Sequence, residues 1–187
     1  MATQGAPRHD VIMTGVGGKG VLTAGLLLAQ AGMARYRNVV WFPSYQAAMR
    51  GGPSECTVIL SDDDIASPIL TQADALVVMD ASQLKAFESR LKPGGILITE
   101  SADLRDKISR KDVQTVTIPA VEKALGLGEI QTSNLFLLGA YLALTGAVPT
   151  ELIERELEKK FSGKEKALRL NKQALHHGMS LVDYQRG

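Results

Sequence analysis

An α/β fold is predicted by three features of this sequence. Short apolar runs rich in Val, Ile and Leu recur at 11–13, 39–42, 56–60, 75–79, 96–99 and 114–118. Segments of helical character lie between several of them, and almost everything after Pro119 reads as helix. The runs are continuously apolar rather than alternating, which is the mark of strands buried on both faces in a parallel sheet. The expected architecture is a mainly parallel sheet with helices on both faces, a Rossmann-like three-layer arrangement, with a helical C-terminal part. No repeat, low-complexity stretch or linker interrupts the 187 residues, so 1–187 is expected to be a single α/β domain.

The first strand is Val11-Ile12-Met13, and a helix pattern begins near Lys19 with Val21-Leu22-Thr23-Ala24. Val39 to Phe42 forms the second strand, followed by a loop of small residues from Pro43 to Pro53. Cys56 to Leu60 is β-branched and apolar, hence a buried strand. Ser61 to Asp64 reads as a turn and cap leading to Ile65-Ala66-Ser67-Pro68. Ala75 to Met79 is the next strand, ending at Asp80, and Ser82 to Leu91 predicts one short amphipathic helix. Lys92-Pro93-Gly94-Gly95 is a turn, Ile96 to Thr99 a strand, and Gln114 to Ile118 the last strand. Helices follow at Ala120 to Leu125, stopped by Gly126 and Gly128, at the strongly apolar Asn134 to Thr145, and at Glu151 to Phe161, opened by Pro149 and Thr150. A final helix runs from Lys164 to about Tyr184, with an interruption expected at Gly178.

The chain is organised around Gly15-Val16-Gly17-Gly18-Lys19-Gly20, where the first strand turns into the first helix. Glycine suits such a turn because its backbone reaches angles that side chains forbid, and because a missing Cβ lets a ligand or another segment approach. The helix start carries unpaired N–H groups and a partial positive charge, which suits a phosphate or carboxylate. Gly15, Gly17, Gly18, Lys19 and Gly20 are therefore candidate contacts to an anion; a purely structural turn is the other reading of the same residues. The spacing matches G-x-G-x-x-G, yet a nicotinamide site would add an acid at the end of the second strand. Here Val39 to Phe42 is followed by Pro43-Ser44-Tyr45-Gln46, with no acid until Glu55. A P-loop is excluded as well, because Gly20 precedes Val21-Leu22 where Lys and Ser or Thr are required.

A second candidate stretch is Ser44 to Cys56, in which Arg50 stands beside Gly51 and Gly52. If the first two strands are neighbours, this loop and the glycine turn share the edge at the strands' carboxyl ends, where ligands of parallel sheets bind. Arg50 with Gly51 and Gly52 would then offer a guanidinium to a carboxylate, a phosphate or a partner protein. A guanidinium satisfied by carbonyls or a surface acid is the plainer reading.

Composition narrows the functional classes. Charged residues make up 22% and the net charge is +1, so no strong field recruits nucleic acid or an acidic membrane. The one cysteine, Cys56, cannot form an internal disulfide or by itself hold an iron–sulfur cluster or zinc. The first eight residues carry no apolar signal core, and no apolar run reaches the roughly 18 residues of a membrane span, so a soluble cytoplasmic protein is expected. Asp62-Asp63-Asp64 reads as a solvated, capping turn rather than a metal site. Asp80 reads as a cap, with a ligand hydroxyl as the other possibility; Cys56, Trp41 and Tyr45 read as packing. His9, His176 and His177 are expected on the surface, with no support for a catalytic metal or base.

Taken together, GVGGKGVLTAGLLLAQA, RGGPSECTVILSDDDIASP and ADALVVMD, with Asn134 opening its Leu-Gly-Ala helix and the late Asn171-Lys-Gln-Ala-Leu-His-His-Gly178, resemble the gamma subunit of 2-oxoacid:ferredoxin (or acceptor) oxidoreductases of the 2-oxoglutarate, pyruvate and ketoisovalerate type. The resemblance covers nearly the whole chain. One departure is Lys19, where the family commonly has Gln; it keeps the reach and adds a charge.

That resemblance implies one component of a larger enzyme, without a catalytic residue of its own. Such complexes convert a 2-oxoacid and coenzyme A to acyl-coenzyme A and carbon dioxide, passing electrons to ferredoxin or another acceptor. Thiamine diphosphate with Mg2+ belongs to alpha and beta subunits, and iron–sulfur clusters to beta or a ferredoxin-like delta subunit. This chain is expected to bind none of these by itself, to serve a structural role, and to help hold coenzyme A at the glycine turn. A stand-alone, nucleotide-binding Rossmann-like enzyme is the alternative.

Overall fold

The computed structural model describes residues 8–45, 52–104 and 108–186. Six strands form one sheet: β1 (His9–Val16), β2 (Asn38–Tyr45), β3 (Pro53–Ser61), β4 (Ala73–Val78), β5 (Leu91–Glu100) and β6 (Gln114–Ile118). Their order is β2-β3-β1-β4-β5-β6. The α/β class and the predominantly parallel sheet are as expected: β1 with β4, β4 with β5 and β5 with β6 are all parallel.

One strand departs from the expectation. β3 lies between β1 and β2 and runs antiparallel to both, so the first two strands are not neighbours. β2 ends at Tyr45 and β3 begins at Pro53, a separation too short for a crossover. A parallel pair needs a long crossover, whereas a return without one gives a hairpin. The geometry still carries β3's first residues to the end of β1 where the glycine turn lies, as Val16 pairs with Pro53 and Gly15 with Ser54.

Side chains alternate across the sheet with period two. Val11 and Met13 of β1, Val77 of β4 and Ile98 of β5 face one core, while Ile12, Leu76, Val78 and Leu97 face a second, smaller one. The large core is covered by α1 (Val21–Gly32), α3 (Ala120–Gly126), α4 (Ser133–Thr145), α5 (Thr150–Lys160) and α6 (Glu165–Arg186). Over the smaller core lies α2 (Leu84–Phe87) with a 3-10 turn at each end, Ala81–Gln83 and Glu88–Arg90. The helix expected over Ser82 to Leu91 is thus broken into three short pieces. The turn expected at Lys92 to Gly95 sits inside β5 as a bulge: Ala73 pairs with Leu91 but Ala75 with Ile96, and Gly94 has φ +74°.

Gly178 does not interrupt α6. It lies where α6 crosses α4, and a Cβ there would stand 2.0 Å from the Phe136 carbonyl oxygen. Reciprocally, a Cβ on Gly139 of α4 would stand 2.1 Å from the Leu175 carbonyl oxygen. The two backbones touch because neither helix carries a side chain at the crossing. A glycine inside a helical pattern is read from sequence as a break; here it permits close approach.

Smaller expectations fare variously. Asp80 is a cap, its Oδ1 accepting from the Ser82 N–H at 3.1 Å and the Ser82 hydroxyl at 2.6 Å. In the Asp62 to Asp64 turn, Asp62 accepts the Arg37 N–H and the Ser61 hydroxyl accepts the Asp63 N–H. Cys56 is buried against α1, its thiol pushed up to about 12 by burial. His9 is half-buried rather than fully solvated: it opens β1 with its ring edge-on to Tyr36, and burial lowers its pKa. His176 pairs with Glu154 at 2.5 Å on the exposed side of α6. Among the described residues no helix is long and apolar enough to cross a membrane.

Candidate functional site

The end of β1 turns into α1 through Gly17, Gly18, Lys19 and Gly20. Gly18 has φ +93° and Gly20 φ +75°, both in the left-handed region where glycine is needed. The Lys19 N–H donates to the Val16 carbonyl at 3.2 Å, closing the turn. Gly20 has no side chain with which to cap the N–H groups of α1, and no acid occupies the helix's first turn. The N–H groups of the first turn therefore remain for a ligand.

The cleft at this helix start has a volume of about 590 Å³, inside the range of roughly 300–1,000 Å³ usual for small-molecule sites. Gly17, Gly18 and Gly20 form one wall, and Gly52 at the entry to β3 lies beside them. The Gly17 N–H donates to the Gly52 carbonyl at 2.9 Å, so one hydrogen bond joins the two candidate stretches. Arg50 and Gly51 lie outside the described residues. The remaining walls come from the far half of the chain: Thr132 and Asn134 at the start of α4, Lys160 and Phe161 at the end of α5, and Asn171 of α6.

Two of the expected contacts are elsewhere. Gly15 is buried under α1, and a Cβ there would meet Val21 Cγ2 at 2.9 Å and Met79 Cβ at 3.2 Å, so its role is packing. Lys19 does not line the cleft; its Nζ stands 3.8 Å from Asp80 Oδ2. That partly exposed pair holds the turn to the end of β4, a contribution worth at most about 1 kcal/mol.

Asn134 is the residue that sequence reasoning did not single out as a site. It is 3% exposed, and its Nδ2 donates to the Gly20 carbonyl at 3.1 Å. Its Oδ1 is buried without a hydrogen-bond partner. An unsatisfied buried acceptor costs about 1–3 kcal/mol, which makes this one of the least economical groups in the fold unless something else uses it. The sequence did carry a signal, a polar residue opening the otherwise apolar Leu135 to Leu138 run.

The chemistry of the cleft is that of an anion receptor with amide and hydroxyl groups around it. The positive end of α1 faces it, Lys160 and the carboxylate of Glu129 are among its lining residues, and Val21, Leu27, Leu135 and Phe161 are apolar parts of the wall. A nicotinamide nucleotide fits poorly: the strand that would carry the ribose acid, β2, is separated from β1 by β3 and ends without one. Among the described residues no group of three or more His, Cys, Asp or Glu is arranged to hold a metal ion.

Comparison with known proteins agrees over most of the chain. Residues 10–181 match the family described as pyruvate ferredoxin/flavodoxin oxidoreductase. The chain is 34% identical over 174 residues to ketoisovalerate oxidoreductase subunit VorA of Methanothermobacter thermautotrophicus, covering 92% of this chain and 36% of that one. It thus spans about a third of that relative's length. The crystal structure of a keto/oxoacid ferredoxin oxidoreductase gamma subunit from Geobacter sulfurreducens superposes with a TM-score of 0.79 at 28% identity, covering 94% of this chain and 99% of that one. The same fold recurs, with a TM-score of 0.88 at 21% identity over 96% of this chain and 32% of that one, in a 2-oxoglutarate:ferredoxin oxidoreductase from Magnetococcus marinus with 2-oxoglutarate, coenzyme A and succinyl-CoA bound.

Proposed function

The chain belongs to the pyruvate ferredoxin/flavodoxin oxidoreductase family, and from that premise we propose that it is the gamma subunit of a cytoplasmic 2-oxoacid:ferredoxin (or acceptor) oxidoreductase. The complex converts a 2-oxoacid and coenzyme A to acyl-coenzyme A and carbon dioxide. Alpha and beta subunits, and a ferredoxin-like delta subunit where present, complete it; thiamine diphosphate, Mg2+ and the iron–sulfur clusters reside on those chains. The family match over residues 10–181 carries this reading, and the likeness to an isolated gamma subunit of nearly the same extent supports it.

In this role the chain contributes a binding surface rather than a reacting group. Gly17, Gly18 and Gly20 present the first N–H groups of α1 to an anionic portion of coenzyme A, and Lys160 adds a positive charge at the rim. The apolar walls hold the rest of the ligand away from water. Burial keeps Cys56, the chain's one thiol, protonated and out of reach of redox chemistry at neutral pH.

Co-expression with candidate alpha and beta chains tests the subunit reading. Acyl-coenzyme A formation is expected only when all chains are present, and to fall to background when this one is omitted. Turnover of a 2-oxoacid or a nucleotide substrate by this chain alone would establish the stand-alone enzyme instead. Arg50, beside the glycines that lead into β3, is assigned to the docking of a partner subunit or an acidic ligand. Arg50→Ala is expected to reduce assembly or acyl-coenzyme A formation at least about fivefold, the scale of a 1 kcal/mol contact, while the purified chain stays folded by circular dichroism. Unchanged activity of the complex removes Arg50 from the site.

A further inference from the structure

Gly20 is held from two sides. Its carbonyl accepts the Ala24 N–H at 3.0 Å, the first bond of α1, and the Asn134 Nδ2 at 3.1 Å. The two residues are 114 positions apart in the chain, so a side chain at the start of α4 sets the angle of the turn that opens α1. The space a Cβ would need at Gly20 is taken by the same amide, 2.5 Å away. Only the nitrogen end of that amide is used: Oδ1 of Asn134, a residue lining the cleft, is buried and unpaired. The bond to Gly20 accounts for Nδ2 but leaves Oδ1 an orphan acceptor, for which neither that bond nor packing accounts. What does account for it is a second partner arriving with a ligand.

We propose that Asn134 is the positioning residue of this cleft: Nδ2 fixes the Gly20 carbonyl so that the α1 N–H groups meet the ligand's anionic group, and Oδ1 accepts from a donor next to that group. The ligand class is a phosphate ester that carries a hydroxyl or amide N–H beside the phosphate. The proposal rests on the cleft being a ligand site, and goes further than coenzyme A as a candidate by naming the group that orients it and the donor the ligand must bring.

The test titrates the full 15N-labelled chain with coenzyme A and, separately, with inorganic pyrophosphate. Affinity is read by calorimetry, the Asn134 side-chain NH2 resonances by NMR, and thermal midpoints for the wild type and Asn134→Leu. The expected result is a saturable shift of those resonances with coenzyme A, and a dissociation constant raised at least tenfold in Asn134→Leu. A purely structural amide would change the thermal midpoint and leave the dissociation constant alone; that outcome overturns the proposal while sparing the cleft as a coenzyme A site. So would wild-type resonances that stay still at saturation, a readout that holds even if Asn134→Leu fails to fold. Pyrophosphate binding weakened tenfold by the substitution, without coenzyme A binding, overturns the proposal as stated: it removes coenzyme A and the donor to Oδ1, since pyrophosphate brings no such donor, and leaves only the hold of Nδ2 on Gly20. Binding of neither compound by the wild type removes both.

Discussion

Gly178→Ala is expected to destabilise the protein by about 3 kcal/mol or more, the upper end for forcing atoms into a packed interior. The added Cβ would sit 2.0 Å from the Phe136 carbonyl oxygen, 2.6 Å from its carbonyl carbon and 2.7 Å from its Cα. All three are main-chain atoms of a helix, which cannot swing aside as the tip of a long side chain can. Helices α4 and α6 must therefore part along their crossing, loosening buried neighbours such as Phe136, Ala174 and Leu175. Helix propensity works in the other direction, since alanine is favoured over glycine by about 1 kcal/mol in a helix interior. Overlap wins because it opposes two backbones rather than one rotamer. For a chain of this size the loss corresponds to roughly 6–12 °C in thermal midpoint. A midpoint within a degree or two of wild type would show that the helices do not cross in direct contact.

Gly20→Ala is expected to weaken ligand binding in the cleft at least tenfold and to lower stability by about 2 kcal/mol. Two costs combine at this residue. A side chain at φ +75° costs about 1–2 kcal/mol, and the methyl group displaces the Asn134 amide from the Gly20 carbonyl. Gly18→Ala provides the comparison. Its φ of +93° carries a similar backbone penalty, but nothing lies within 4 Å of a Cβ there. Calorimetric titration and urea unfolding of both variants separate the two contributions. Equal losses of affinity would assign the whole effect to backbone strain and none to the contact with α4.

Much of this was legible in the sequence. Gln114 to Ile118 matches β6 at both ends, and the apolar run from Asn134 matches α4 within a residue, because long or strongly patterned segments announce themselves. The turn from Gly15 to Gly20 was equally plain, since few sequences place so many glycines between a strand and a helix. What was hidden is how segments meet. Cys56 to Leu60 reads as a strand in either direction, and its apolar pattern says nothing about reversal between β1 and β2. Gly178 carries the same letter whether it ends a helix or lets another lie against it. Asn134, Lys160 and Asn171 come together at the cleft only after α4, α5 and α6 have packed, so local periodicity does not mark them as companions of Gly20. Ser82 to Leu91 shows the reverse failure: its helical pattern is real, but Asp80 captures the first N–H groups and the segment tightens into 3-10 turns at both ends.

Trp41, the one tryptophan in the chain, packs on the large core from β2 with its indole N–H buried beside the Cys56 thiol. Where α1 passes over it, Gly25 offers no side chain, and a Cβ there would come within 3.2 Å of that nitrogen. The indole thus faces the helix whose first turn forms the cleft. Its fluorescence is a built-in gauge of how α1 is seated, and an emission shift on adding coenzyme A would follow occupancy of the cleft in the unlabelled protein.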